Sequence, residues 1–174
     1  MGYSLGGRIC LTLAMLMPDS IAAITLVASD GMEINRYYYF FTRSFIGKKL
    51  FRHLLFNPGL YFGTLNLLKR FKIIDSSRHK FVTQSLRSHQ SRMFLLQVWP
   101  ALSTLVTQPS KIKGIINQYR IPVFIFMGAY DKVIPPEIAR KFAAGMDTVK
   151  LFILEKGHRL SDNESVEQIA KQLA

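Results

Sequence analysis

Three runs of β-rich apolar residues limit what this chain can fold into: "IAAITLVAS" (21–29), "PVFIFMGA" (122–129) and "VKLFILEKG" (149–157). Each run is continuous rather than alternating, the pattern of a strand covered on both faces in a parallel sheet. Parallel strands need crossover connections, and helical patterns flank the runs. "GRICLTLAMLM" (7–17) is apolar almost all round, which predicts a helix buried on more than one side and stopped by Pro18 and Asp19. "PPEIARKFAAGM" (135–146) has proline near a helix start and a stripe of Ile138, Phe142 and Met146. "SDNESVEQIAKQLA" (161–174) opens with Ser or Asp as cap and puts Val166, Ile169, Ala170 and Leu173 on one face. The alternation predicts an α/β fold with a three-stranded, mostly parallel sheet and flanking helices.

Charge divides the chain. Of a net +12, all falls between Asn35 and Lys111, where 13 Lys or Arg meet one acid, Asp75; the remainder holds 10 residues of each sign. That middle stretch shows no strand pattern. It is rich in Tyr, Phe, Leu, Arg and Lys, turns at Asn57-Pro58-Gly59, and predicts three or four amphipathic helices. The expected organisation is 1–34, a helical basic insertion over 35–111, and 112–174. The basic stretch reads as a solvated face on packed helices, or as a surface for anionic or lipid-like substrates or an anionic membrane. "YYYFF" (37–41) and Phe45, beside Arg43, Lys48 and Lys49, suit the second reading. Nucleic acid is not an expected partner, because no recognised motif accompanies the charge.

Other classes are excluded more simply. The one cysteine, Cys10, rules out an internal disulfide, reads as a buried helix residue and fits a reducing, cytoplasmic setting. No apolar run reaches the roughly 20 residues of a spanning helix. His53, His79 and His89 show no metal-ligand spacing and read as surface residues, and no metal or cofactor is expected. Asp162 and Glu164 read as helix N-terminal acids.

The first residues, "MGYSLGGRICLTLAMLM", admit three readings. Arg8 followed by an apolar run has the outline of a secretory signal, but Gly6 and Gly7 precede the charge and Pro18-Asp19 interrupts the cleavage region. Myristoylation wants Ser or Thr at position 6, where Gly6 stands. The third reading is a G-x-S-x-G turn, Gly2-Tyr3-Ser4-Leu5-Gly6, in which a strand bends sharply into a helix. Glycines on either side leave room for the bend. The serine Oγ then projects outward, and the Leu5 N–H points where an oxyanion would develop. Asp131 follows the second apolar run and His158 the third, so Ser4, Asp131 and His158 all fall at C-terminal strand ends, where open α/β sheets place their sites.

"GYSLGGR", "GAYDKVIPP" and "EKGHRL" resemble the elbow, acid loop and histidine loop of the α/β-hydrolase superfamily, in its serine-nucleophile branch. The resemblance covers nearly the whole chain and begins at the elbow, with the helical middle where the superfamily carries its cap. It implies Ser4 as nucleophile, His158 as general base, Asp131 as the acid that orients it and Leu5 as an oxyanion-hole donor. The implied function is a serine hydrolase acting on a small-molecule ester or related acyl substrate, apolar or anionic. Related chemistries stay open: C–C bond hydrolysis, elimination of the menaquinone-pathway-synthase kind, or an inactive fragment serving as a binding module.

The same resemblance implies a truncated hydrolase. Met1 would be the last residue of the strand leading into the elbow, and the loop giving the second oxyanion donor would be missing. The strand at 21–29 would then expose an apolar edge, a surface for self-association.

Overall fold

The computed structural model describes residues 1–74, 76–105 and 107–173, so Asp75 lies outside the described residues. In chain order the elements are β1 (Gly2–Tyr3), α1 (Gly6–Leu16), a 3-10 turn (Pro18–Ser20) and β2 (Ile24–Val27). Five helices follow: α2 (Arg36–Arg43), α3 (Phe45–Phe56), α4 (Pro58–Arg70), α5 (Ser76–Ser85) and α6 (His89–Leu102). Then come α7 (Pro109–Gln118), β3 (Val123–Gly128), α8 (Pro136–Ala143), β4 (Val149–Leu154) and α9 (Asn163–Leu173). Two compact units result: Met1–Ile34 with Leu105–Ala174, and Asn35–Thr104.

The first unit is a parallel sheet in the order β1-β2-β3-β4. Its three long strands lie within the three apolar runs. Alternation along β3 explains why those runs are continuous. Val123, Ile125 and Met127 pack with Leu11 and Ala14 of α1, Ile112 and Ile116 of α7, and Ala139 and Phe142 of α8. Phe126 points the other way, onto Leu160, Ile169 of α9 and Phe152, whose ring stacks on it at 4.8 Å. Both faces are covered, so apolar residues suit every position.

Several expectations are corrected. The sheet has four strands, not three, because Gly2 and Tyr3 pair with Leu26 and Val27. Two residues suffice for a strand when backbone pairing alone holds it, and two are too short to leave a hydrophobic pattern. The strand within 21–29 is therefore not an edge strand: β1 pairs with its outer side at Leu26 and Val27, and β1 and β4 are the edges. Helix α1 buries one side only, through Gly7, Arg8, Leu11, Thr12 and Ala14, and leaves Ile9, Leu13 and Leu16 exposed. Helix α9 buries Ser165 and Ile169, while Val166, Ala170 and Leu173 are exposed. Residues four apart share a face, so Ser165 and Ile169 are buried together, and Ile169 joins the Phe126 cluster.

Among the described residues the second unit holds five helices where three or four were expected. Besides the expected turn at Asn57-Pro58-Gly59, breaks at Ser44 and Ser88 divide what reads as continuous amphipathic sequence; Ser44 and Ser88 cap α3 and α6 by accepting from Gly47 and Ser91 N–H. Leu55, Tyr61 and Leu65 form its buried centre. Buried Arg92 donates to the carbonyls of Leu55, Leu86 and Arg87, orphan acceptors near the ends of α3 and α5. The basic stretch to Lys111 runs beyond this unit into α7. His53 and His89 are exposed, and His79 Nε2 lies 2.8 Å from Asn66 Oδ1. No helix among the described residues is long and apolar enough to cross a membrane.

Candidate active site

The bend at Ser4 is where strand becomes helix. Ser4 N–H donates to Val27 O at 2.9 Å, the last rung of the β1–β2 ladder, and α1 begins two residues later. Between them Ser4 takes φ +49°, a left-handed conformation that costs a non-glycine residue energy and persists only where its surroundings enforce it. One enforcing contact is visible: Ser4 O accepts from Asp30 N–H at 2.9 Å, tying the bend to the end of β2.

Crowding around the bend assigns its glycines. A Cβ on Gly2 would lie 2.6 Å from Gly6 O, and one on Gly7 would lie 1.5 Å from Ser29 Oγ. A Cβ on Gly6 would meet nothing within 4 Å. The tight glycine on the helix side is therefore Gly7, not the Gly6 of the five-residue pattern, because Gly7 faces the β2 loop and Gly6 faces open space.

Ser4 Oγ lies 3.2 Å from His158 Nε2, and His158 Nδ1 lies 2.8 Å from Asp131 Oδ2. The sequence thus names three side chains that the fold brings into one hydrogen-bonded line, from residues 4, 131 and 158. Each sits just past a strand: Ser4 after β1, Asp131 after β3, His158 after β4. Asp131 is buried, and its other oxygen accepts from Val133 and Ile134 N–H at 2.8 and 2.9 Å. A carboxylate can only accept, so the Asp131–His158 bond takes its proton from Nδ1, and a neutral imidazole held this way presents its Nε2 lone pair to Ser4. Leu5, half-buried, is the N-cap of α1, where backbone N–H groups lack intrahelical acceptors.

Three further residues shape the site and escaped the sequence reading. Tyr3 O–H donates to the backbone carbonyl of His158 at 3.0 Å, and the two rings are 6.0 Å apart. Burial raises the Tyr3 phenol above its ordinary range, against a lowering hydrogen bond from the Leu160 backbone. Tyr3 thereby grips the histidine loop, which Leu160 also plugs into the Phe126 cluster. Arg8, fully buried, forms an ion pair with Asp30 at 2.5 Å. Asp30 in turn accepts from Gly31 N–H at 2.7 Å, so the pair braces the loop that holds Ser4 O. A cation inside a helix otherwise apolar was the available signal, since a buried charge requires a partner. Asp162 caps α9 by accepting from Ser165 N–H and Oγ–H, and Lys156 pairs with Asp162 at 3.5 Å and with Glu164. Cys10 is half-buried against the core.

A parallel sheet with a sharp Ser-bearing turn after its first strand, and Asp and His after its last two, defines a class, and the family comparison agrees. The chain belongs to the alpha/beta hydrolase fold family, whose model matches residues 1–161. The dihydrolipoyllysine-residue acetyltransferase component of the acetoin cleaving system of Pseudomonas putida is 26% identical over 181 residues, taking in 99% of this chain and 43% of that protein. A structure from a study of carboxylesterases of Nitrososphaera gargenis superposes with TM-score 0.60 at 16% identity, over 99% of this chain and 62% of that one. The meta-cleavage product hydrolase of Pseudomonas fluorescens IP01 gives TM-score 0.54 at 15% identity, over 99% of this chain and 61% of that one. The chain thus spans less than half of the curated relative and about three fifths of each of these structures; the structural likenesses show the fold.

Proposed function

We propose that this chain carries the reacting end of a serine hydrolase for esters or related acyl compounds. The observation that carries the reading is the unbroken line Ser4 Oγ, His158 Nε2, His158 Nδ1, Asp131 Oδ2 at 3.2 and 2.8 Å. In this reading Ser4 Oγ attacks the acyl carbon while His158 Nε2 takes its proton. Asp131 holds the imidazole by Nδ1–H and stabilises the imidazolium. The negative charge that develops on the carbonyl oxygen faces the Leu5 N–H. His158 returns the proton to the leaving oxygen, which departs as an alcohol and leaves an acyl ester on Ser4. Water, deprotonated by His158, then attacks that ester; the acid leaves and Ser4 recovers its proton.

The left-handed Ser4 supports the reading, because strain of this kind collects where a side chain must be aimed. Turnover of short-chain p-nitrophenyl esters tests it. Ser4→Ala is expected to lower the rate by at least about 10³-fold, since members of such a line act as a unit. Retention of most of the turnover by Ser4→Ala would remove Ser4 from the chemistry.

A further inference from the structure

The outward side of α3 has a composition that water alone does not explain. Gly47, Phe51, Leu54 and Leu55 turn toward the core of the helical unit. On the opposite side Phe45, Lys49, Arg52 and Phe56 follow one another at spacings of four, three and four residues, which places them on one face. Phe45 is 82% exposed, its neighbour Ile46 71% and Phe56 48%. The Arg52 guanidinium lies over the Phe56 ring, 5.5 Å from its centroid. From Arg36 to Ile74 there are eight Lys or Arg and no acid, so nothing along this stretch of chain neutralises the face.

We propose that the outward face of α3 docks on an anionic lipid bilayer surface. Large apolar side chains interleaved with cations match the boundary between headgroups and acyl chains, where Phe and Ile leave water and Lys and Arg meet lipid phosphate and carboxylate. A second copy of this chain is a poor occupant, because the face would meet its own positive charge. Nucleic acid offers phosphate for Lys49 and Arg52 but no apolar phase for the aliphatic Ile46. The proposal is independent of the chemistry assigned to Ser4.

Flotation of the full chain with vesicles tests it, comparing phosphatidylcholine alone with phosphatidylcholine containing phosphatidylserine. Binding to the anionic vesicles is expected to be at least about 10-fold tighter. Phe45→Ser with Ile46→Ser, and separately Lys49→Glu with Arg52→Glu, should each weaken it about 10-fold or more. Val166→Ser should bind like the wild type, since Val166 is 53% exposed on α9 between Glu164 and Glu167. Circular dichroism of each variant confirms folding. Equal binding to neutral and anionic vesicles would overturn the proposal. So would binding that the Phe45/Ile46 variant retains in full, which would reflect the net charge of the chain rather than this face. Displacement of anionic vesicles by an oligonucleotide, with the oligonucleotide also losing affinity in the Phe45/Ile46 variant, would assign the face to nucleic acid instead.

Discussion

The sheet unit and the helical unit of this molecule are held together in different ways. In the sheet unit the strands are fixed from both faces: Leu26, Val123, Ile125, Phe126 and Met127 are inaccessible to solvent. Close packing of that kind tolerates little displacement, so the loops leaving the strand ends inherit its precision. Ser4, Asp131 and His158 all stand on such loops. The helical unit has a smaller centre, around Leu55, Tyr61 and Leu65, and fastens helix ends through the Arg92 guanidinium. It keeps Tyr37, Phe45, Ile46 and Phe71 largely in solvent. A closely packed frame for Ser4, Asp131 and His158 and a basic, apolar-studded surface thus belong to separate units of one chain.

Breaking the line at its buried end should have the largest effect. Asp131→Asn can keep the Oδ1 bonds to Val133 and Ile134 N–H while presenting an amide to His158 Nδ1. The imidazole then turns the wrong tautomer toward Ser4, and ester turnover should fall about 10³- to 10⁴-fold with the fold intact. A loss under tenfold would mean that Asp131 merely shapes its loop.

The frame itself is tested at its glycines. Gly7→Ala should destabilise the sheet unit by about 3 kcal/mol in denaturant unfolding, because its Cβ has no space beside Ser29. Gly6→Ala, in open space within α1, should be neutral or stabilise by up to about 1 kcal/mol. Equal costs at the two positions would contradict the assignment of the tight glycine to Gly7.

Tyr3→Phe removes the hydroxyl that grips the His158 carbonyl and leaves the ring in place. The expected result is a drop of about 3- to 10-fold in kcat with KM unchanged, as befits a residue that positions His158 without touching substrate. A change in KM alone would place Tyr3 in substrate binding.

The smallest effect concerns Asp162. The Ser165 hydroxyl, then the Ser165 N–H, hold its carboxyl below the ordinary carboxylate range. The folded state therefore favours the charged form. Its stabilising contribution is complete above the unfolded value, about 3.9, and is lost as pH falls through the lower folded value. Thermal melting followed downward from about pH 6 should show a slightly shallower acid limb for Asp162→Asn than for the wild type. A steeper limb in the variant would reverse the assigned sign.

The same contrast decides what could be read from sequence. Strands β2, β3 and β4 announced themselves because burial on both faces demands unbroken apolar runs. Ser4, Asp131 and His158 were legible because each follows such a run or opens the turn before one. Strand β1 left no apolar pattern in its two residues; the turn at Ser4 implied a strand ending at Met1, whereas β1 spans Gly2–Tyr3. The five helices of the basic unit were undercounted because Ser44 and Ser88 look like ordinary polar residues until their side chains are seen capping α3 and α6. Gly6 and Gly7 could not be told apart, because what separates them is Ser29, more than twenty positions away along the chain. Tyr3 and Asp30 act through backbone groups brought near by the sheet, which no local motif encodes.

Peptide mapping after reaction with a fluorophosphonate probe tests most directly whether the sheet unit holds an activated serine. The probe should modify Ser4 alone among the serines, at a rate that falls at least about 10²-fold in His158→Ala, where the proton acceptor beside Ser4 Oγ is gone. Modification spread over other serines, or a Ser4 rate indifferent to His158→Ala, would contradict an activated Ser4.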